Sequence, residues 1–164
     1  RDEQAVETAT EVGVDLVVPW RAGRCVSVWT GPRAARGRAR WEATAREAAK
    51  QARRARVPRV ESDRSTRELA AWVRGVTDAG GAVLVLHEEA GTPIGAAALP
   101  EPGDGRAPVL AVVVGPEGGI GEEEVAALEG AGARAVRLGP HVMRTASAGP
   151  VALALLAERA GLWG

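Results

Sequence analysis

The amino-acid sequence predicts an α/β fold with a mostly parallel sheet. Short apolar runs alternate along the chain with longer segments that have helical periodicity. Two of the runs, residues 82–86 and 109–114, are apolar at every position, which is typical of strands buried on both faces of a parallel sheet. Helices that follow such strands cover the two faces of the sheet, so we expect a layered α/β domain.

The N-terminal part of the chain predicts two helices and three strands. A helix that ends at Gly13 is followed by a strand over residues 14–19, and a second strand is predicted over residues 25–29. A short third strand, residues 57–60, comes directly after the second helix. That helix spans residues 38–56, and its apolar stripe consists of Trp41, Ala45, Ala48, Ala49 and Ala52.

The rest of the chain continues this alternation. Ser65 with Glu68 three residues later is a capping-box pattern, which predicts the start of a helix. Between the two apolar strands lie a weaker segment, residues 92–99, and a Pro- and Gly-rich loop, residues 100–108. A helix from Ile120 or Gly121 to Ala131, a strand over 133–138 and a last helix over about 147–161 follow. No internal repeat or boundary divides the chain, so we expect one domain over residues 1–164.

Composition indicates a soluble globular protein. Apolar residues make up 46% and charged residues 26% of the chain, and no apolar run is long enough to cross a bilayer. Cys25 is the only cysteine, which excludes an intramolecular disulfide and a cysteine-based metal cluster. His87 and His141 lack neighbours that would complete a ligand set, so we expect no metal. With no export signal at its start, the chain is expected to be cytoplasmic.

Charge is unevenly placed on a chain whose net charge is zero. Residues 33–67 carry eleven Arg and Lys50 against four acidic residues, a net charge of +8, whereas residues 101–129 carry −6. A local basic surface of this kind binds a phosphate backbone through counterion release. A solvated Arg-rich helix has the same pattern, so charge alone leaves both interpretations open.

A glycine-rich turn follows the second apolar strand, where ligands of α/β sheets usually bind. The segment 115–124 reads GPEGGIGEEE, which has neither the Lys-Ser/Thr pair of a phosphate-binding loop nor the spacing of a dinucleotide fingerprint. Glu117 and the run Glu122, Glu123 and Glu124 suit a helix start but repel a phosphate. A neutral or cationic ligand such as S-adenosylmethionine fits this turn, although an acidic turn that only caps a helix remains an alternative.

Several motifs in order resemble one known family. Residues 115–148, GPEGGIGEEEVAALEGAGARAVRLGPHVMRTASA, are similar to the GPEGG turn, acidic helix start and LGxxxLRT loop of the 16S rRNA uridine-N3 methyltransferases. Upstream, ATEVGVDLVVPWRAGRC resembles the helix and strand that end in a Glu-Arg pair in that family, and WEATAREAAKQARRARVP resembles its W-x5-EAAxQ helix. VLVLHE, residues 83–88, matches its central strand. The resemblance covers nearly the whole chain.

This resemblance implies a SPOUT methyltransferase fold with a C-terminal trefoil knot, which periodicity would not have predicted. It also implies S-adenosylmethionine as cofactor, 16S rRNA of the small ribosomal subunit as partner and a homodimer. The apolar last helix, with Val151, Leu153, Leu155, Leu156 and Leu162, could supply the dimer interface, and ordinary core packing is the alternative for each of these residues. By position, the cofactor-binding residues are Leu86, His87, Gly115, Pro116, Glu117, Gly118, Gly119, Leu138, Gly139, Val142, Met143, Arg144 and Thr145.

Methylation at N3 requires loss of the N3 proton and stabilisation of the resulting uridine anion. Arg144 is our first candidate for anion or phosphate stabilisation because its guanidinium stays charged. Glu117 is a candidate either for the base or for balancing the sulfonium charge, and Arg24 is a further catalytic candidate. For RNA contacts we expect Arg24, Arg53, Arg54 and Arg56. Another SPOUT enzyme acting on tRNA or a ribose 2′-hydroxyl, a non-catalytic RNA-binding module and a phosphate-ligand binder are the alternatives.

The chain departs from the family pattern at a few positions. His141 stands where Arg is common, Met143 where Leu is usual, Ala146-Ser147 in place of Glu-Thr, and Arg53 in place of Gly. The family also carries a small β-barrel RNA-binding domain before the catalytic one, and nothing in these 164 residues resembles it. We therefore expect a catalytic domain without that barrel.

Overall fold

The computed structural model describes residues 2–26, 29–103 and 105–164. These ranges contain five α-helices and seven short strands. In chain order the elements are α1 (Asp2–Val12), β1 (Leu16–Val17), β2 (Trp20–Arg21), α2 (Pro32–Gln51), β3 (Arg59–Val60), β4 (Arg64–Ser65), α3 (Thr66–Asp78), β5 (Ala82–Leu86), β6 (Leu110–Val113), α4 (Glu122–Gly130), β7 (Arg134–Val136) and α5 (Thr145–Arg159).

Every strand pair in the described ranges is parallel, which confirms the predicted α/β class. The strands form the pairs β1-β3 and β2-β4 and a three-stranded sheet in the order β6-β5-β7. The central strand β5 is fully buried at Val83, Leu84 and Val85. The prediction that residues 109–114 are buried on both faces was wrong, because β6 pairs only with β5 and most of its residues are half-buried.

The sequence overestimated the strands of the N-terminal part. Of residues 14–19 only β1 pairs, and Cys25, Val26 and Trp29 of the second predicted strand are not in a strand, while residues 27–28 lie outside the described ranges. The chain turns at this point, where the Cys25 N–H donates to the carbonyl oxygen of Ala22 at 3.2 Å. The two-residue strands β2 and β4 had no signal in the sequence because their pairing is non-local.

The predicted start of α3 is confirmed, whereas both ends of α2 differ from the prediction. The capping box of α3 is present, with the Ser65 hydroxyl accepting from the Glu68 N–H and the Glu68 carboxylate accepting from the Ser65 N–H. Helix α2 begins at Pro32, six residues before the predicted start, since proline is well suited to the first helical position. It ends at Gln51 rather than Arg56, and β3 and β7 are shorter than predicted.

All five helices in the described ranges end in the same backbone motif. In α2 the N–H groups of Arg53 and Arg54 donate to the carbonyl oxygens of Lys50 and Ala49, which is a Schellman motif. Arg53 takes the left-handed conformation of that motif with φ +55°. The other four helices have glycine at the same place, with positive φ at Gly13, Gly80, Gly132 and Gly161.

The core lies on both faces of the three-stranded sheet. One cluster of buried residues joins α3 and α4 to one face through Val73, Val83 and Leu128, and another joins α5 to the opposite face through Leu84, Ala152 and Leu156. In the part of the chain that the structure describes, no helix is long and apolar enough to cross a membrane. Nor do the described residues bring together three metal-ligating side chains.

Candidate active site

Three loops meet at the carboxyl ends of β5, β6 and β7. These strands are neighbours in one parallel sheet, so the segments that follow them share an edge. The His87 N–H after β5 donates to the carbonyl oxygen of Val136 in β7 at 3.0 Å. The Thr145 hydroxyl donates to the carbonyl oxygen of Gly115 after β6 at 3.3 Å. The structure therefore brings together the three segments that were predicted to hold the cofactor.

The turn after β6, residues 115–119, is called the glycine turn here. A Cβ on Gly115 would lie 2.4 Å from Cγ1 of the buried Ile120, so no larger residue fits. Gly119 has φ +78°, and its N–H donates to the carbonyl oxygen of Pro116 at 2.8 Å. Packing against Ile120 thus requires glycine at position 115, and the left-handed backbone favours it at position 119, without any need for a phosphate.

Acidic side chains surround this turn. The Glu124 carboxylate accepts from the Gly121 N–H at 3.2 Å at the start of α4, while Glu117, Glu122 and Glu123 are exposed. Negative charge at the start of a helix is stabilised by the helix dipole and disfavours a phosphate there. The arrangement therefore favours a neutral or cationic ligand over a phosphate.

Residues 22–26, called the Arg24 loop, cover the glycine turn. The Arg24 guanidinium donates to the carbonyl oxygen of Gly118 at 3.3 Å, and a Cβ on Gly118 would lie 3.1 Å from the Cβ of Arg24. The predicted catalytic residue Arg24 therefore lies against Gly118, the residue after Glu117, although 94 positions separate Arg24 from Gly118 in the sequence. Burial, with added repulsion from Glu124, Asp2 and Glu117, raises the pKa of the adjacent Cys25 thiol.

The segment 138–145, called the C-terminal loop, is largely exposed. Val142 and Met143 expose 77% and 40% of their surface, which is unusual for apolar side chains that serve only the core. Arg144 lies just before α5, where its carbonyl oxygen accepts from the N–H groups of Ser147 and Ala148 and its side chain is exposed. Leu86 and Leu138 differ from these residues because both pack against the buried cluster under α5.

The predicted RNA contacts Arg53, Arg54 and Arg56 lie together at the end of α2, away from the glycine turn. Arg54 is not free for RNA. Its guanidinium donates to the carbonyl oxygens of Thr10 at 3.0 Å and Val14 at 2.6 Å, and its side chain is only 17% exposed. These bonds assign Arg54 a structural role, which corrects the prediction, whereas Arg53 and Arg56 are exposed.

The sequence did not single out several residues that shape the site. Trp20 donates from Nε1 to the Thr66 hydroxyl at 3.1 Å, and that hydroxyl donates to the Glu124 carboxylate at 3.0 Å. Arg159 donates to the carbonyl oxygens of Ile94 and Ala97 and so holds the segment between β5 and β6 against α5. Nothing in the local sequence predicts these contacts, since each joins positions far apart in the chain.

A broad groove of about 2230 Å³ runs from the glycine turn between β1 and β6. Its walls include Gly115, Pro116, Glu117 and Thr145 of the site. A groove of this size is larger than an ordinary small-molecule pocket, which measures about 300–1,000 Å³. Farther along, its lining carries the arginines Arg21, Arg33, Arg36, Arg40, Arg56, Arg59 and Arg106.

Sequence comparison decides the family. The profile of the RNA methyltransferase domain family matches residues 1–157. The chain belongs to this family. Among its relatives, the Ribosomal RNA small subunit methyltransferase E of Mycobacterium tuberculosis is 49% identical over 163 residues, 99% of this chain and 60% of that protein. The enzyme of the same name from Bacillus subtilis is 30% identical over 98% of this chain and 62% of its own length.

Solved structures agree with this RNA methyltransferase family. The crystal structure of a Ribosomal RNA small subunit methyltransferase E from Neisseria gonorrhoeae, bound to S-adenosyl methionine, superimposes with a TM-score of 0.82. It is 26% identical, and the match covers 96% of this chain and 60% of that one. The present chain thus spans about 60% of the length of the curated relatives it matches.

Proposed function

We propose that this domain binds S-adenosylmethionine and transfers its methyl group to N3 of a uridine in 16S rRNA. The observation that carries the proposal is the meeting of the glycine turn, the C-terminal loop and the end of β5, with Thr145 and His87 joining them. The names of the relatives from Mycobacterium tuberculosis and Bacillus subtilis support a ribosomal RNA of the small subunit as the substrate.

The residues at the site fit S-adenosylmethionine better than a nucleotide. Its sulfonium is cationic, so the carboxylates around the glycine turn stabilise the bound form instead of repelling it. A Cβ on Gly139 would meet no atom within 4 Å, so the backbone of the C-terminal loop is open to a ligand. The exposed Val142 and Met143 provide apolar surface for an adenosine. When bound, the cofactor supplies an electrophilic methyl group.

Proton removal from uridine N3 is the task that the protein must perform. Glu117 is exposed at the glycine turn and is the proposed base, since a carboxylate there is near the place where the cofactor would bind. Arg144 and Arg24 approach from the C-terminal loop and the Arg24 loop, and we assign them stabilisation of the negative charge that develops on the uracil oxygens. Glu117, Arg144 and Arg24 lie on three different loops, so the distances between their side chains depend on the fold.

The groove that leaves the site is the proposed path of the RNA. Its lining joins the glycine turn to exposed arginines, among them Arg33, Arg36 and Arg56, and guanidinium groups are suited to a phosphate backbone. Arg24 and Arg53 are proposed as further RNA contacts.

We further propose that two copies assemble through α5 and that the C-terminal segment forms a trefoil knot. Leu155 and Leu162 expose 43% and 74% of their surface and are available for a partner, whereas Leu156 is buried in the core. The likeness to the Neisseria gonorrhoeae structure supports a SPOUT-type chain path.

Calorimetric titration of the chain with S-adenosylmethionine tests the proposal. We expect saturable binding that is lost in Gly118→Arg, because the new side chain would collide with Arg24. Gly95→Arg serves as the control, since Gly95 is exposed with no atom near its Cβ position. Absence of heat with the unaltered chain, or binding of a nucleoside triphosphate that outcompetes the cofactor, would contradict the proposal.

A further inference from the structure

The Glu124 carboxylate joins three separate segments of the chain. Its Oε1 accepts hydrogen bonds from the Gly23 N–H at 2.7 Å and from the Thr66 hydroxyl at 3.0 Å. Its Oε2 accepts from the Gly121 N–H at 3.2 Å. One side chain therefore connects the Arg24 loop, the start of α3 and the start of α4.

Helix capping alone does not account for this arrangement. The bond from Gly121 to Oε2 is sufficient to cap α4, yet Oε1 accepts two additional bonds from outside the helix. Glu122 and Glu123 occupy the same helix start and are exposed, without a side-chain hydrogen bond among the described residues. Hydrogen bonds to a charged acceptor are about twice as strong as neutral ones.

The Arg24 loop has few other attachments to the glycine turn. Arg24 donates to the Gly118 carbonyl oxygen at 3.3 Å, which is a long bond at the surface. The bond between Gly23 and Glu124 is shorter and involves the backbone of the residue just before Arg24. The Thr66 hydroxyl, which donates to Glu124, itself accepts from the Trp20 Nε1, so Trp20 holds this hydroxyl in place. Of the two bonds that attach the Arg24 loop here, the one to Glu124 is thus the shorter.

We propose that Glu124 is a positioning residue that holds the Arg24 loop, and Arg24 with it, against the glycine turn. The effect on cofactor binding and methyl transfer rests on the proposed function above. The ordering of the Arg24 loop does not rest on the proposed function, because it follows from hydrogen bonds within the chain. Two measurements therefore test the positioning role of Glu124 separately from the proposed function.

The first readout is the alkylation of Cys25, which lies in the Arg24 loop and is the only cysteine of the chain. Burial, with added repulsion from nearby carboxylates including Glu124, raises the pKa of this thiol, so Glu124→Ala changes both its ionisation and its accessibility. The limiting rate with iodoacetamide at high pH, where the thiolate is fully formed, reports accessibility only. We expect that rate to rise at least about threefold in Glu124→Ala through local opening of the loop.

Matched variants make this first readout specific. Glu123→Ala removes the same charge from the same helix start and should leave the limiting rate unchanged. Glu124→Gln keeps an oxygen that accepts from Gly23 and Thr66, so it should restore a rate near that of the unaltered chain. Thr66→Val removes one of the bonds to Oε1, together with the acceptor of the Trp20 N–H, and should give a smaller increase. If Glu124→Ala does not fold, the Cys25 alkylation rates of Glu124→Gln and Thr66→Val still test whether Glu124 holds the Arg24 loop.

The second readout is the affinity for S-adenosylmethionine, measured by calorimetry on the same variants. Glu124→Ala should weaken binding about tenfold, and adding Arg24→Ala should cause little further loss because both changes remove the same contact. Equal cofactor affinity and equal Cys25 rates in Glu124→Ala and Glu123→Ala would overturn the positioning role. If the unaltered chain binds no cofactor, the proposed function fails, and the Cys25 rates alone decide on Glu124.

Discussion

The guanidinium of Arg54 donates a hydrogen bond to the carbonyl oxygen of Val14 at 2.6 Å, across 40 positions of the sequence. It also donates to the Thr10 carbonyl oxygen in the last turn of α1. The Thr10 carbonyl oxygen also accepts from the Gly13 N–H at the end of α1, so Arg54 is its second donor. Arg54 lies in an Arg-rich segment, yet its side chain has a structural role because it joins the end of α2 to the end of α1.

Arg54→Ala is therefore expected to destabilise the fold. Losing bonds between a charged donor and two backbone carbonyls should lower the free energy of unfolding by about 2–3 kcal/mol. Urea denaturation followed by Trp fluorescence measures the change. Arg56→Ala is the matched control. Because Arg56 is exposed, this substitution should change the free energy of unfolding by less than about 0.5 kcal/mol. Equal effects of the two substitutions would show that Arg54 has no special structural role.

Arg53→Gly should stabilise the chain. Arg53 has φ +55° at the end of α2, a conformation that costs a residue with a Cβ about 1 kcal/mol relative to glycine. We expect the free energy of unfolding to rise by about 1 kcal/mol in the same denaturation experiment. The reverse change at the end of α3, Gly80→Arg, should lower it by a similar amount, since Gly80 has φ +85° and no steric obstacle. A drop in stability on Arg53→Gly would contradict this interpretation.

Arg144→Ala tests the proposed anion stabilisation. The cap of α5 uses the Arg144 carbonyl oxygen, so the side chain can be removed without loss of that bond. We expect the single-turnover rate of methyl transfer to a 16S rRNA fragment to fall about a hundredfold, as for the loss of one oxyanion donor. Cofactor affinity should change much less. Arg144→Lys keeps the charge and should recover part of the rate, and an unchanged rate in Arg144→Ala would exclude the role.

Leu155→Glu should convert the proposed dimer into a monomer with intact folding. Leu155 is 43% exposed on α5, so a charge there disrupts only contacts with a second copy. Sedimentation velocity at several concentrations measures the assembly state, and circular dichroism checks the fold. Leu156→Ala offers the contrast, because Leu156 is buried and its truncation should cost about 2–5 kcal/mol of stability. A monomer in the unaltered chain would rule out the interface.

Patterns within a few residues predicted local structure well. The capping box at Ser65, the Gly-rich turn at Gly115 and the helix end at Gly13 depend on backbone conformations that particular residues favour, and the structure has all three. The failures have a common physical origin. The predicted strand over residues 25–29 has β-type composition, but it lacks a pairing partner among its described residues because the chain turns there to cover the glycine turn.

The candidate site shows the same difference between short-range patterns, which the sequence predicts, and long-range contacts, which it does not. By itself the sequence determined the α/β class, the acidic glycine turn and the resemblance to RNA methyltransferases, because each depends on residue types at short spacing. Only the tertiary structure decided that Arg54 is internal, that Arg24 lies on Gly118 and that Glu124 connects three segments. Those contacts join residues separated by 40 to 101 positions, and no local pattern encodes which distant partner a guanidinium or a carboxylate will find.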